Sequence, residues 1–174
     1  MIAGELRIEA ASERDIPLIL SFIHKIADYE KLSHLVTATE ETLRASLFGP
    51  TSAAEVLLAY WQDAPAGYAV FFTNFSTFLG RAGIYLEDLF VEPELRGKGI
   101  GKALLAAVAK EAQTRGCGRL EWAVLDWNKP SIDFYLSLGA KALDEWTIFR
   151  MTGDAISGLA KMAPPVARVV ARVD

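Results

Sequence analysis

The residues with the clearest chemical potential lie in one stretch, from Ile84 to Lys102. An apolar segment carries two adjacent acids, Glu87 and Asp88, and leads through a short polar turn into the glycine-rich loop LRGKGIGK. Glycines let a backbone turn its N–H groups toward a bulky anion, and a helix that begins there adds its positive N-terminal end. The loop therefore predicts a site for a phosphorylated ligand, beside acids that can accept a proton.

The spacing of the glycines narrows the class of ligand. The P-loop of nucleotide triphosphatases ends in Gly-Lys-Ser/Thr, whereas Gly101 and Lys102 are followed here by Ala103, which has no hydroxyl for magnesium. The dinucleotide fingerprint needs Gly-x-Gly-x-x-Gly directly after a strand, whereas here the spacing is Gly-x-Gly-x-Gly and residues 92–96 intervene. Both nucleotide classes are disfavoured. A turn that only closes a strand–helix joint remains the plain structural alternative.

Composition limits the partners and the compartment. The chain has 174 residues, 52% hydrophobic and 23% charged, which suits the core of one globular domain. A net charge of −4 argues against nucleic acid or an anionic membrane as a partner. One cysteine and two histidines give no disulfide or zinc pattern, so we expect no metal and a reducing, cytoplasmic compartment. We expect no signal peptide and no transmembrane helix.

Hydrophobic periodicity predicts the elements that position the stretch. Strands are expected at 6–10, 55–61, 67–73, 84–91 and 119–125, with two short closing strands at 141–143 and 147–151. Helices are expected from Ser12 to about residue 30, from Thr37 (in a capping box with Glu40) to Phe48, from the loop to Arg115, and at 130–139 and 154–161. We expect one domain over residues 1–153 and a C-terminal extension over 154–174, a short helix plus a tail that lies at a dimer interface or is disordered.

Two separated motifs give the chain a family resemblance. Arg96, Gly99 and Gly101 occupy the named positions of the Arg/Gln-x-x-Gly-x-Gly/Ala motif of the GNAT superfamily of N-acetyltransferases. Further along, WNKPSIDFYLSLGA resembles the family's Asn-x-x-Ser/Ala-x-x-Phe-Tyr segment. The runs YEKLSHLV and YLEDLFV look like the branch that contains spermidine/spermine and thialysine acetyltransferases. The resemblance covers about residues 5–151.

The resemblance implies an α/β GNAT fold, with a central mixed, mainly antiparallel sheet that splays between its central strands and is flanked by helices. It implies acetyl transfer from acetyl-coenzyme A (acetyl-CoA) to a primary amine of a small cationic acceptor, by direct attack in a ternary complex. Polyamines, thialysine and lysine-like amines are the expected acceptors. Acetylation of a protein or peptide, and a CoA-binding regulatory module without turnover, are the alternatives. Relatives in this branch also imply a homodimer.

The same motifs carry roles to residues of this chain. Tyr135 would protonate the departing thiolate, and Glu87 would accept the proton of the amine, through water. The cofactor would be bound by Leu89, Phe90, Val91, Arg96, Gly97, Lys98, Gly99, Ile100, Gly101, Lys102, Asn128 and Ser131. The acceptor would be bound by Tyr29, Glu30, Glu87, Glu121, Trp122 and Glu145. Because adjacent strand residues point to opposite faces, only one of Glu87 and Asp88 can face the acceptor, and the other is expected to pair with a basic residue.

Overall fold

A five-stranded sheet forms the centre of the first part of the chain. The structure, a computed structural model, describes residues 6–165, which divide into two compact units, 6–128 and 129–165. The strands lie in chain order: β1 (Leu6–Ala10), β2 (Glu55–Trp61), β3 (Ala64–Ser76), β4 (Arg81–Val91) and β5 (Leu120–Trp122). β1 to β4 are antiparallel, and β5 is parallel to β4. The predicted mixed, mainly antiparallel sheet is confirmed.

Helices cover both faces of this sheet. They are α1 (Ile16–Glu30), α2 (Glu40–Phe48) and α3 (Ile100–Thr114). On the α1 face, Phe22 stacks on Tyr68 with ring centroids 5.3 Å apart, and Phe90 completes the aromatic core. Phe71 points to the opposite face, where the guanidinium of Arg115, just after α3, lies 5.7 Å from its ring centroid. The two faces of β3 and β4 therefore pack against different helices.

Hydroxyl residues cap the 3-10 turn that leads into α1 and the start of α2. The Ser12 backbone N–H donates to Asp15 Oδ2 at 2.8 Å, which is the acid's half of the predicted capping box, and the Ser12 hydroxyl donates to the same oxygen at 2.7 Å. The box predicted between Thr37 and Glu40 is wrong, because α2 is capped by Thr39. The Thr39 hydroxyl accepts from the Thr42 N–H at 3.2 Å, and the Thr39 N–H donates to the Thr42 hydroxyl at 2.9 Å. A threonine thus replaces the expected glutamate, since its hydroxyl also reaches back to the cap.

A bulge in β4 changes the direction of its side chains. Val70 of β3 pairs with Asp88 and Phe71 pairs with Leu86, so the register shifts here and Glu87 is the extra residue of β4. Leu86 shares the α3 face with Phe71, whereas Asp88 shares the α1 face with Tyr68 and Phe90. Two residues apart on a regular strand, Leu86 and Asp88 would share one face. The bulge is therefore what turns Asp88 toward α1.

The second unit contains two helices, α4 (Lys129–Ser137) and α5 (Asp154–Ala160). The helix predicted at 154–161 is confirmed. The closing strands predicted at 141–143 and 147–151 are wrong, because residues 140–152 form no strand in the part of the chain that the structure describes. The Trp146 N–H donates to the Leu143 carbonyl at 3.2 Å, which closes a turn instead of pairing strands. Strands require a paired neighbour for their backbone groups, and apolar residues alone do not supply one.

Two expectations concern the chain as a whole. Over residues 6–165, no helix combines the length and the apolar character that a membrane span needs. Most of the predicted C-terminal tail, residues 166–174, lies outside the described residues, so its place stays a prediction.

Candidate active site

The second half of β4 forms an open edge beside β5. β5 pairs with β4 only over 84–86, through its three residues 120–122, so the two strands part after Leu86. On this side, residues 88–91 of β4 lie beyond the pairing with β5, which within residues 6–165 ends at Leu86. This is the predicted splay, and an extended chain can add to such an edge by backbone hydrogen bonds. Leu89, Phe90 and Val91, predicted to hold the cofactor arm, lie along it.

Next to this edge, Asp88 is held by a buried tyrosine. The Tyr68 hydroxyl donates to Asp88 Oδ2 at 2.6 Å, and Tyr68 is fully buried, with 0% of its surface exposed. Burial, and then the negative charge of Asp88, raise the pKa of Tyr68 well above its usual value, so its hydroxyl stays protonated. The prediction that Asp88 pairs with a basic residue is wrong. Its partner is a neutral hydroxyl, because the bulge turns it toward the core.

Glu30, the last residue of α1, lies within electrostatic reach of the same carboxylate. Burial raises the pKa of Glu30, and the charge of Asp88 raises it further. Burial also raises the pKa of Asp88, against the opposing effect of the hydrogen bond from Tyr68. Over residues 6–165, no lysine or arginine forms an ion pair with Glu30 or Asp88. Two half-buried carboxylates without a cation make a site for a positively charged ligand.

The glycine loop is shaped for an anion. Gly97 and Gly99 have φ angles of 78° and 84°, which L-residues with a side chain rarely adopt. A Cβ on Gly97 would meet no atom within 4 Å, so the backbone there is open. α3 begins at Ile100, and its N-cap residue, Gly99, has no side chain that could cap the first N–H groups. Exposed Lys98 lies over the ring of Trp61, 5.2 Å from its centroid. The loop therefore has the geometry of an anion site, as the sequence predicted for a phosphorylated ligand.

Arg96 connects the loop to α1. Its Nε donates to the Val91 carbonyl at 3.1 Å, and its guanidinium lies 4.7 Å above the ring centroid of Tyr29. The Tyr29 hydroxyl in turn donates to Asn128 Oδ1 at 3.1 Å, and Asn128 is only 6% exposed. Trp127 packs beside Tyr29, with ring centroids 5.8 Å apart. The structure therefore brings together residues predicted for the acceptor and for the cofactor.

Glu121 and Trp122, predicted to line the acceptor groove, lie on β5. Glu121 forms an ion pair with Arg119 Nε at 2.8 Å and accepts from Asn74 Nδ2 at 3.0 Å. These contacts give Glu121 a structural role that the sequence did not predict. Half-buried Trp122 pairs with Leu86 at the point where the two strands part.

Three predicted site residues lie in the second unit. Ser131 and Tyr135 are one turn apart on α4 and therefore share a face of that helix. The Tyr135 ring lies 5.3 Å from that of Phe134, between centroids. Glu145 lies in the turn after residue 143 and is exposed. The roles of these residues stay predictions that depend on the family motif.

Sequence reasoning missed Tyr68 and the position of Asp88. Tyr68 stands in an apolar strand, GYAVFF, where nothing distinguishes its hydroxyl from a packing residue. The signal for Asp88 was present, since two adjacent acids in an apolar strand are unusual. What the sequence lacked was the bulge that decides where each acid points.

Comparisons with known proteins agree with this geometry. The chain matches the acetyltransferase (GNAT) family over residues 23–140. It is 44% identical to the thialysine N-epsilon-acetyltransferase of Bos taurus over an alignment of 164 positions that spans 88% of this chain and 96% of the bovine protein. It is 35% identical to an L-ornithine N5-acetyltransferase of Arabidopsis thaliana over an alignment of 201 positions that spans 90% of this chain and 88% of the Arabidopsis protein.

A solved structure supports the same assignment. An integron cassette protein from the mobile metagenome of V. cholerae superposes with a TM-score of 0.75 at 29% identity, covering 90% of this chain and 98% of that chain. The splayed sheet, the glycine loop before α3 and the match over 23–140 coincide in one chain. This protein therefore belongs to the GNAT acetyltransferase family and is an enzyme of that class.

Proposed function

We propose that this enzyme transfers an acetyl group from acetyl-CoA to the primary amine of a small cationic acceptor, by direct attack in a ternary complex. The observation that carries the proposal is the pair of half-buried carboxylates, Glu30 and Asp88, beside the open edge of β4 and without a lysine or arginine partner over residues 6–165. An uncompensated negative site favours an ammonium ligand. The edge and the glycine loop supply the donor side.

The donor side is built chiefly from backbone. Acetyl-CoA supplies an activated thioester. The loop from Gly97 to Lys102 would hold its pyrophosphate through N–H groups and the positive end of α3. Leu89, Phe90 and Val91 would hold the pantetheine arm as an added strand. Backbone N–H groups on this edge would also donate to the carbonyl oxygen as negative charge develops on it.

Glu87 is proposed as the proton acceptor. An amine is mostly protonated at neutral pH, and only its free base attacks a thioester, so a nearby carboxylate both attracts the cation and removes its proton, through water. Glu87 is the extra residue of the bulge and is exposed, which suits contact with solvent and acceptor. Its role comes from the family motif.

Tyr135 is proposed as the acid that protonates the departing thiolate, with Asn128 and Ser131 flanking the donor. The family motif supports these roles, and the shared face of Ser131 and Tyr135 on α4 is compatible with them. A thiolate is a weak base, so this acid should help without being indispensable.

The acceptor is proposed to be a polyamine, thialysine or a lysine-like amine. The bovine and Arabidopsis relatives are named for thialysine and ornithine, whose names specify a side-chain nitrogen. The family resemblance further suggests a homodimer, and the single cysteine suggests a cytoplasmic enzyme.

The proposal is tested by thiol release. The full chain is mixed with acetyl-CoA and, separately, with thialysine, ornithine, lysine, spermidine or a lysine-containing peptide, and free CoA thiol is measured. A blank without acceptor corrects for hydrolysis and for the Cys117 thiol. We expect release with at least one small cationic amine. Release of CoA thiol with the peptide alone would mean that the enzyme acetylates proteins instead of small amines. Release with none of the acceptors would overturn the proposal.

A further inference from the structure

We propose that Tyr68 is a positioning residue for the acceptor, which fixes the Asp88 carboxylate beside Glu30 so that the two carboxylates bind one ammonium group. This inference rests on the proposed function, since it assigns a residue to the acceptor side of that site. Tyr68 belongs to none of the family motifs that identified the site, and no hydroxyl at its position was expected from the sequence.

The hydroxyl of Tyr68 has a defined direction. Its ring is locked in the aromatic core by Phe22 and Phe90, with centroid distances of 5.3 and 6.5 Å. Because the residue is fully buried, its hydroxyl needs a partner inside the protein, and Asp88 Oδ2 at 2.6 Å is that partner. A carboxylate that accepts from a rigid donor loses rotational freedom, so Asp88 presents its other oxygen in a fixed direction.

The groups that act on Asp88 are one neutral hydroxyl and two carboxylates, and over residues 6–165 no lysine or arginine forms an ion pair with it. The Tyr68 hydroxyl faces it from β3, Glu30 lies at the end of α1, and Glu87 precedes it on β4. Two half-buried carboxylates within electrostatic reach of each other resist full ionisation, and a hydrogen bond to one of them favours its charged form. Tyr68 therefore selects Asp88 as the partner that stays charged. An ammonium between the two carboxylates would complete the site.

The consequence is a specific dependence of acceptor binding on pH. In the Tyr68→Phe variant the ring keeps its packing, but the effect that lowers the pKa of Asp88 is lost, so this pKa rises. The charged form that binds the ammonium is then lost at a higher pH. A residue that serves packing alone would lower stability or turnover without moving this pH profile.

The test measures kcat/KM for the best acceptor, and KM for acetyl-CoA, from pH 5 to 9. For Tyr68→Phe we expect the acidic limb of kcat/KM to move upward by about one pH unit and the acceptor KM at pH 6 to rise about tenfold. The KM for acetyl-CoA should stay within twofold. Tyr60→Phe is the matched control, because Tyr60 lies on β2 under Arg7, on another strand.

A second variant keeps the proposal falsifiable if Tyr68→Phe folds poorly. Asp88→Asn retains an acceptor for the Tyr68 hydroxyl but carries no charge, so the acceptor KM should rise at least tenfold at pH 7 to 9, where the wild-type Asp88 is charged, and the difference should shrink along the acidic limb. An unchanged pH profile in Tyr68→Phe, or an unchanged acceptor KM in Asp88→Asn, would overturn the inference while leaving acetyl transfer by the wild type intact. Absence of turnover in the wild type would instead overturn the proposed function.

Discussion

The two sides of the site use different chemistry: the glycine loop from Gly97 to Lys102 offers backbone N–H groups, whereas the region around Asp88 offers side-chain charge. In the loop, two glycines at positive φ and the start of α3 form the surface proposed for the donor. Around Asp88, three side chains from different elements, Tyr68, Glu30 and Asp88 itself, form the surface proposed for the acceptor. A pyrophosphate would thus meet fixed dipoles, while an amine would meet groups that titrate.

This difference predicts how each side responds to change. A backbone site is insensitive to most side-chain substitutions but fails when a glycine is replaced. A carboxylate site depends on pH and on the neighbours that hold each proton. Substitutions in the glycine loop should therefore change the affinity for acetyl-CoA, whereas substitutions around Asp88 should change the acceptor KM.

The largest expected effect is on proton transfer at Glu87. Glu87→Gln removes the proposed base, so kcat should fall by about 10²–10⁴-fold and the rise of rate with pH should flatten. The pH–rate profile measures both. Glu94→Gln is the matched control, because Glu94 is an exposed glutamate in the turn between β4 and the loop. A Glu87→Gln profile that still rises like that of the wild type would place the base elsewhere.

The second effect concerns the donor alone. In Gly99→Ala a Cβ is forced into the left-handed region, at a cost of about 1–2 kcal/mol, and the N–H groups beside the phosphate shift. Losing such a charged hydrogen bond should weaken acetyl-CoA binding about 10–100-fold, with the acceptor KM unchanged. Titration calorimetry with CoA measures the affinity.

Gly116→Ala is the control for backbone strain in that experiment. Gly116 follows α3 at φ 65°, and a Cβ there would meet no atom within 4 Å. It should cost similar stability and leave CoA affinity intact. Equal loss of affinity in both variants would mean that general destabilisation, and not the loop, explains the result.

The same contrast explains what the sequence could predict. Gly97 and Gly99 allowed the loop to be predicted, because glycine is the residue that adopts a positive φ most easily. The positive φ is therefore a local property that the residue type indicates. The strand bounds of β2 and the Ser12–Asp15 cap are equally local, and both were predicted correctly. The geometry of the loop proposed for the donor could therefore be predicted from a short stretch of sequence.

The geometry around Asp88 could not be predicted in this way, because it depends on the register between β3 and β4. The direction of Asp88 follows from its pairing with Val70 and from the extra residue Glu87, which no local pattern marks. Tyr68 and Glu30 reach Asp88 only through the fold. The prediction of closing strands at 141–143 and 147–151 was wrong for a related reason. Apolar residues there suggested strand pairing, but within the described residues no neighbouring strand pairs with them.

A smaller effect is expected for the proposed acid. Tyr135→Phe should lower kcat about 10–100-fold, at or below the lower end of general-acid catalysis, because a thiolate needs little help to leave. The KM values for both substrates should change little. Steady-state kinetics with Tyr60→Phe as the control measures this, and turnover equal to the wild type would remove Tyr135 from the mechanism.

The smallest expected effect is that of Asp88→Asn on stability. This substitution should weaken acceptor binding but stabilise the free enzyme. Because burial raises the pKa of Asp88, the folded protein holds this proton more tightly than the unfolded chain does. The stability linked to that proton is complete below the usual aspartate value of 3.8 and is lost as the pH rises through the folded-state pKa. At neutral pH the charged Asp88 therefore destabilises the free enzyme.

Asp88→Asn should relieve this cost while keeping the hydrogen bond from Tyr68. Thermal unfolding at pH 4 and pH 8 should show a variant with nearly the wild-type Tm at pH 4 and a higher Tm at pH 8. Asp63→Asn, whose side chain is 96% exposed in the β2–β3 turn, should show no such trend. A saturating acceptor should raise the wild-type Tm more than that of Asp88→Asn, because binding supplies the missing cation. A Tm difference that is equal at both pH values would mean that Asp88 is not held at an electrostatic cost.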